Sequence, residues 1–263
     1  MLLNVIEHTH EPSALCHTLP IVFLHGLFGR ARNFGFVQRR LATTHRTLAL
    51  DLRNHGESPH GPMSYPIMAQ DVYETLKFHM AEPCTLIGHS MGGKTAMMLA
   101  LLYPQSVKHL IIVDIAPDHG GFSYPDLPQK LETIVFPQKL DLHKANTLLQ
   151  PVITDNAVRQ LMIQNIRLGE NPGWIIGLHE ILTALPLIVN WPSSLPENAC
   201  YTGPTLFIRG ENSLYIQPQN YSTMRHLFPH YTLESIASAG HWVHADAPQQ
   251  FLACIKHFLE THD

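Results

Sequence analysis

Ser90 stands at the centre of Gly88–His89–Ser90–Met91–Gly92, directly after the apolar run Cys84–Thr85–Leu86–Ile87. A serine on a tight turn, with a glycine two residues to either side, is the arrangement of an exposed nucleophile. The turn forces the serine backbone into a strained conformation, and the glycines remove the clash that any Cβ would make. The chemistry implied is acyl transfer. A helix beginning near Met91 would aim its N-terminal N–H groups at the oxygen of a developing tetrahedral intermediate. His25–Gly26–Leu27–Phe28–Gly29 follows an earlier apolar run and is placed to add the backbone N–H of Leu27 beside that of Met91. The hydroxyl also needs a base. His241, in Ala239–Gly240–His241–Trp242, lies in a late loop after Thr232–Leu233–Glu234–Ser235–Ile236, the chain order such a base occupies. The bland alternatives are an ordinary serine in a glycine-rich turn and one surface histidine among 19. The flanking strand and helix weigh against the first, and the small residues before His241 with the helix after it weigh against the second.

The base in turn needs a carboxylate to fix its tautomer and stabilise the imidazolium. Many hydrolases place it in a G-x-x-D stretch after a late strand. Here that stretch reads Arg209–Gly210–Glu211–Asn212–Ser213, with serine where the aspartate would stand. Asp114 directly follows Leu110–Ile111–Ile112–Val113, the strand after the Ser90 helix, so its side chain should emerge at the same carboxyl edge as Ser90. A turn or capping role before Ala116–Pro117 is the structural alternative for Asp114. Glu211 is the chief rival acid. Asp246, beyond the histidine, is expected to cap the last helix. The order Ser90, Asp114, His241 is nucleophile, acid, base.

The elements that must position these groups are visible as continuous apolar runs. Ile21–Leu24, Arg46–Leu50, Cys84–Ile87, Leu110–Val113 and Thr205–Ile208 read as strands buried on both faces of a parallel sheet. Helix-like stretches separate them, such as Pro66 to Phe78. The alternation predicts a doubly wound, mostly parallel α/β fold. Functional groups then collect after the carboxyl ends of the strands. One connection is too long for a simple crossover. Residues 118–201 are expected to form an inserted helical lid on a core made of 1–117 and 202–263. Its entry is proline-rich (Pro117, Pro125, Pro128, Pro137), and it contains a helix over Asn156–Leu168 with Asp155 as its cap and Val158, Leu161, Met162 and Asn165 along one face. Phe122, Tyr124, Leu127, Trp174, Ile175, Ile176, Leu178, Ile181 and Leu182 give it an apolar set, used partly for an acyl pocket and mainly for packing. Arg53–Asn54–His55–Gly56, after the second strand, is expected to shape a loop.

Composition narrows the partners. The chain has 263 residues, 45% hydrophobic and only 14% charged, with a net charge of −4, which argues against nucleic acid. Cys16, Cys84, Cys200 and Cys254 lie far apart with no CxxC pair, as expected of reduced thiols in a cytoplasmic chain. The start has no signal-peptide pattern, and no window reaches the roughly 18 apolar residues of a spanning helix. His241 and His244 lack a third ligand at metal spacing, so no metal is expected. Acyl transfer of this kind needs no cofactor. Oligomeric state is not legible.

Five motifs carry a resemblance across nearly the whole length: HGLFG at 25–29, DLRNHGESP at 51–59, GHSMGGK at 88–94, VDIAP at 113–117 and GHWVHA at 240–245. With them the chain resembles the α/β-hydrolases, and more narrowly the bacterial YbfF-type esterases. The resemblance implies the α/β-hydrolase fold, a triad acid taken from the earlier strand, and a serine carboxylesterase acting on short- to medium-chain acyl esters, with thioesters such as acyl-CoA also in range. Phe28, Trp174, Leu178 and Trp242 are the residues expected at the substrate. Carbon–carbon bond hydrolases share the serine triad and are the nearest enzymatic alternative. The alternative of another class is a small-molecule or partner-binding regulator that keeps Ser90 and His241 with little turnover.

Overall fold

The computed structural model describes residues 1–9, 18–118, 126–193, 195 and 197–262. Cys16, Phe122, Tyr124 and Pro125 lie outside them. Seven strands form the main sheet: β1 (Val5–His8), β2 (Ile21–Leu24), β3 (Thr47–Leu50), β4 (Cys84–His89), β5 (Val107–Val113), β6 (Thr205–Gly210) and β7 (Tyr231–Ile236). Their order is β1-β3-β2-β4-β5-β6-β7, with β1 antiparallel to β3 and every other pairing parallel.

Successive residues of a strand face opposite sides of the sheet, and both sides here are covered. Val22, Leu24, Leu86, Leu110, Ile112 and Phe207 point into one core, shared with α2 (Tyr65–Phe78), α3 (Met91–Leu102) and α8 (Tyr221–Leu227). Ile21, Phe23, Ile87, Ile111, Val113 and Ile208 point into the other, shared with α1 (Gly35–Leu41) and the C-terminal α10 (Pro248–His262). This two-sided burial is why the strands read as unbroken apolar runs.

Between β5 and β6 lie α4 (Leu127–Glu132), α5 (Leu142–Leu149), α6 (Asn156–Ile163) and α7 (Leu178–Ile188), with two short antiparallel pairings. Asp155 caps α6 through the amides of Ala157 and Val158. The helix is shorter than the sequence suggests. It ends at Ile163, and Ile166–Arg167 turns into a pairing with Gly173–Trp174. Asn165, expected on its face, instead sends Nδ2 to the carbonyl of Phe28 at 2.7 Å. The last helices also differ from expectation. Asp246 ends the short α9 (Val243–Asp246) and accepts the Gly240 N–H at 2.8 Å, so it braces the His241 loop instead of capping α10.

Candidate active site

The turn after β4 places Ser90 at φ 53°, ψ −119°, a conformation that only tight surroundings maintain. The glycines around it are required by close backbone approach. A Cβ on Gly88 would lie 2.3 Å from the Gly92 carbonyl oxygen, and one on Gly92 would lie 2.3 Å from that of Leu24.

Sheet register brings the acid alongside. His89 of β4 pairs with Val113 of β5, and Val113 pairs with Ile208 of β6, so Ser90 and Asp114 each leave the sheet one residue past the same rung. The Ser90 N–H donates to the Val113 carbonyl at 3.0 Å, and the Asp114 N–H to the Ile208 carbonyl at 2.8 Å. His241 enters between the two side chains. Its Nε2 lies 3.0 Å from Ser90 Oγ and its Nδ1 lies 2.8 Å from Asp114 Oδ2. Asp114 is fully buried, and its other contacts are donors: the Gly210 N–H reaches Oδ1 at 3.0 Å, and the Ser213 hydroxyl donates to Oδ2. The serine at the G-x-x-D position therefore faces the carboxylate it replaces. Glu211 points elsewhere, accepting the Ser238 N–H at 2.9 Å. The Tyr215 ring stacks on His241 with centroids 4.0 Å apart.

Two buried histidines that the sequence did not single out as functional hold the loop at 25–29. His25 Nδ1 donates to the Gly26 carbonyl at 2.8 Å, and its Nε2 accepts the Leu52 N–H at 2.9 Å. His55 Nδ1 donates to the Arg53 carbonyl at 2.9 Å, and its Nε2 accepts the Phe28 N–H at 3.1 Å. Each ring uses one nitrogen as donor and the other as acceptor, so both are neutral. Burial pushes His25 below its ordinary pKa and takes His55 down to about 3. Asp51 ties the turn that follows this loop, through the Ala31 N–H at 2.7 Å, to the loop after β3, through the Glu57 N–H at 3.0 Å. Burial works against its charge, and these amides, together with the Asn4 side-chain amide and the nearby His25, outweigh it and hold the carboxyl below its usual range. Gly29 N–H closes on the Gly26 carbonyl at 2.9 Å, so the N–H groups of Phe28 and Gly29 are committed, to His55 and to Gly26, while Leu27 lies at the cavity. Met91, the first residue of α3, lies at the cavity too, with a backbone N–H that has no intrahelical acceptor.

His89 donates Nε2–H to the carbonyl of His241 at 2.8 Å, and burial drives its pKa well below normal. Burial also takes His244 down to about 4. The imidazole beside Ser90 thus has neutral rings for neighbours, so no second cation opposes a charge developing on it.

The cavity above Ser90 has a volume of about 350 Å³, small-ligand size. Of the residues expected at the substrate, Phe28 and Trp242 line it. Trp174 and Leu178 do not: Trp174 packs edge-on to Phe136 with centroids 5.4 Å apart, and Leu178 is buried at the start of α7, whose opposite end reaches the cavity at Ile188. Apolar residues in a helical segment serve packing and lining alike, and sequence spacing does not separate the two uses. Arg53 is tied to Asp71 at 2.6 Å, and none of residues 53–56 lines the cavity.

Residues 20–248 match the family model of the alpha/beta hydrolase fold. The chain is 40% identical over 253 residues to the mouse sn-1-specific diacylglycerol lipase ABHD11, covering 92% of this chain and 81% of that protein. It is 34% identical to Esterase YbfF of Escherichia coli, covering 98% and 99%. Among solved structures, a marine microorganism esterase superposes with a TM-score of 0.90 at 30% identity, covering 98% of this chain and 99% of that one. No helix among the described residues is long and apolar enough to cross a membrane.

Proposed function

The chain belongs to the α/β-hydrolase family, and from that premise we propose that it is a serine carboxylesterase working through an acyl-enzyme on Ser90. The single observation that carries this is the continuous hydrogen-bond chain from Ser90 Oγ through His241 to Asp114, beneath a cavity. Relatives named as an esterase and a diacylglycerol lipase supply the bond type, an acyl ester.

In this mechanism His241 Nε2 takes the proton of Ser90 Oγ as the oxygen attacks the ester carbonyl. The carbonyl oxygen becomes an oxyanion that the Leu27 and Met91 N–H groups stabilise. These donors act only on charge that develops in the transition state, so they lower the barrier without tightening the ground state. The imidazolium gives its proton to the leaving alcohol, and the acyl group remains on Ser90. Water then attacks under the same base, the acid is released and Ser90 Oγ recovers its proton. Asp114, held by the Ser213 hydroxyl and the Gly210 amide, fixes Nδ1 as the protonated nitrogen and balances the imidazolium. The largely apolar cavity fits short- to medium-chain acyl groups. A thioester of the same acyl group enters by the same first step.

The test is hydrolysis of p-nitrophenyl butyrate by the wild type and by Ser90→Ala, with folding checked by circular dichroism. Sustained turnover that disappears in Ser90→Ala supports the reading. An unchanged rate in the variant refutes the nucleophile, and a folded wild type that turns over neither butyryl esters nor thioesters favours a ligand-binding role.

A further inference from the structure

The C-terminal end of α7 is gripped from the core by two side chains that the mechanism leaves unused. The Ile188 carbonyl accepts the Tyr65 hydroxyl of α2 at 2.5 Å. The next carbonyl, Val189, accepts from Lys94 Nζ of α3 at 3.2 Å, and the same ammonium donates to the Asp118 carbonyl just beyond β5 at 2.8 Å. The two grips adjoin, with Lys94 Nζ 5.9 Å from the centre of the Tyr65 ring. Both side chains are almost wholly buried. Lys94 is also close to the nucleophile along the chain, since its backbone N–H donates to the Ser90 carbonyl at 3.0 Å.

The last carbonyls of a helix lack intrahelical donors and carry the negative end of its dipole, so a hydroxyl and a cation are well matched to them. The ammonium is nevertheless an expensive choice. Its hydrogen-bond partners are neutral carbonyls, and the Asp118 carboxylate favours its charge without offsetting the cost of burial. Burial pulls Lys94 down to about 8. An apolar side chain of similar length would fill the space without that desolvation penalty. What it would lose is the link from α3 to Asp118, near the start of the segment between β5 and β6, and to Val189 at the end of α7. Tyr65, Lys94, Ile188 and Val189 all line the cavity that opens on Ser90, together with Ile115 and Leu127. The position of the α7 terminus therefore defines one wall of that cavity.

We propose that Lys94 and Tyr65 are positioning residues that clasp the C-terminal end of α7 and thereby set the depth of the cavity, and with it the longest acyl chain the enzyme accepts. The proposal rests on the reading of Ser90 as the acyl-accepting nucleophile. Releasing the clasp lets Ile188 and Val189 move outward. Longer chains then gain contacts that the closed wall denies them, and short chains lose contacts.

The experiment measures kcat and KM separately for p-nitrophenyl esters from acetyl to dodecanoyl, on wild type, Lys94→Met, Lys94→Arg and Tyr65→Phe. In Lys94→Met the ratio of kcat/KM for long over short esters rises by about tenfold, the scale of one or two methylenes in an apolar pocket, through a lower KM for the long esters. Lys94→Arg, which keeps charge and donors, holds the wild-type profile. Tyr65→Phe shifts in the same direction as Lys94→Met, and because it removes one hydroxyl only, it carries the test if Lys94→Met does not fold. A chain-length profile of unchanged shape in the folded variants overturns the proposal. So does a uniform fall in kcat at every chain length, which marks damage to the Ser90 turn. Failure of the underlying reading shows separately, as turnover that survives in Ser90→Ala.

Discussion

Moving the acid from one strand to the next is the perturbation most revealing of how His241 is held. Asp114 Oδ2 lies 2.8 Å from His241 Nδ1, and the Asp114 side chain has no exposure to solvent. In Asp114→Asn an amide that presents N–H to Nδ1 leaves the imidazole proton on Nε2, where the ring can no longer accept from Ser90. For a triad of this geometry the loss in kcat is on the order of 10³ to 10⁴, about 4 to 5.5 kcal/mol of transition-state stabilisation. The Ser213 hydroxyl already bonds the same oxygen that meets His241, so a carboxylate at position 213 stands within one hydrogen bond of the place vacated. Asp114→Asn/Ser213→Asp is expected to regain at least about tenfold over Asp114→Asn, roughly 1.4 kcal/mol. Ser213→Ala alone removes one of the carboxylate's donors, a bond to a charged group worth about 1.5 to 3 kcal/mol, only part of which reaches the transition state. Its kcat/KM should fall about tenfold or less. The assay is p-nitrophenyl butyrate hydrolysis on variants with wild-type circular dichroism. Asp114→Asn within about tenfold of wild type would refute an acid after β5. No gain in the double variant would refute the equivalence of the two positions.

Two further outcomes follow from packing and titration. Gly88→Ala should cost more than about 4 kcal/mol in urea unfolding, because its Cβ meets backbone at 2.3 Å and cannot be relieved by a side-chain rotation; a loss under about 1 kcal/mol would show that the turn is looser than described. His25, His55, His89 and His244 all have folded pKa values below their ordinary one, so the neutral ring is the form that folds. Their stabilising contribution is complete above about pH 6.5 and is lost as pH falls from there toward 4 and 3, at up to about 1.4 kcal/mol per pH unit per histidine. Unfolding free energies at pH 7.0, 6.0 and 5.0 should decline with that sign, and His55→Gln should flatten the slope. Stability that is level or rising toward pH 5 would contradict the neutral assignments.

The parts of this fold that were legible in the sequence are those whose physics is local. β2, β4 and β5 are buried on both faces and so are written as unbroken aliphatic runs, which also marks where Ser90 and Asp114 leave the sheet. β1 escaped notice because it is a four-residue edge strand of mixed exposure with only one neighbour to satisfy. The bond from Ser213 to Asp114 spans 99 residues, and only the β5–β6–β7 register creates it. His25 is legible only as part of the HGLFG motif, and His55 only as one of four residues expected to shape a loop. Their value lies in accepting single amides of Leu52 and Phe28, a property of packing that composition does not carry. The end of α6 was missed for a similar reason. Its helical periodicity continues to Asn165, but the Asn165 amide is drawn to the Phe28 carbonyl and the chain turns away.

The central claim, an activated Ser90, is tested most directly by treating the wild type with a fluorophosphonate and locating the adduct by peptide mass spectrometry. One adduct per chain is expected, on Ser90, with labelling suppressed in His241→Ala. No adduct on a folded chain, an adduct on another residue, or undiminished labelling in His241→Ala would contradict it.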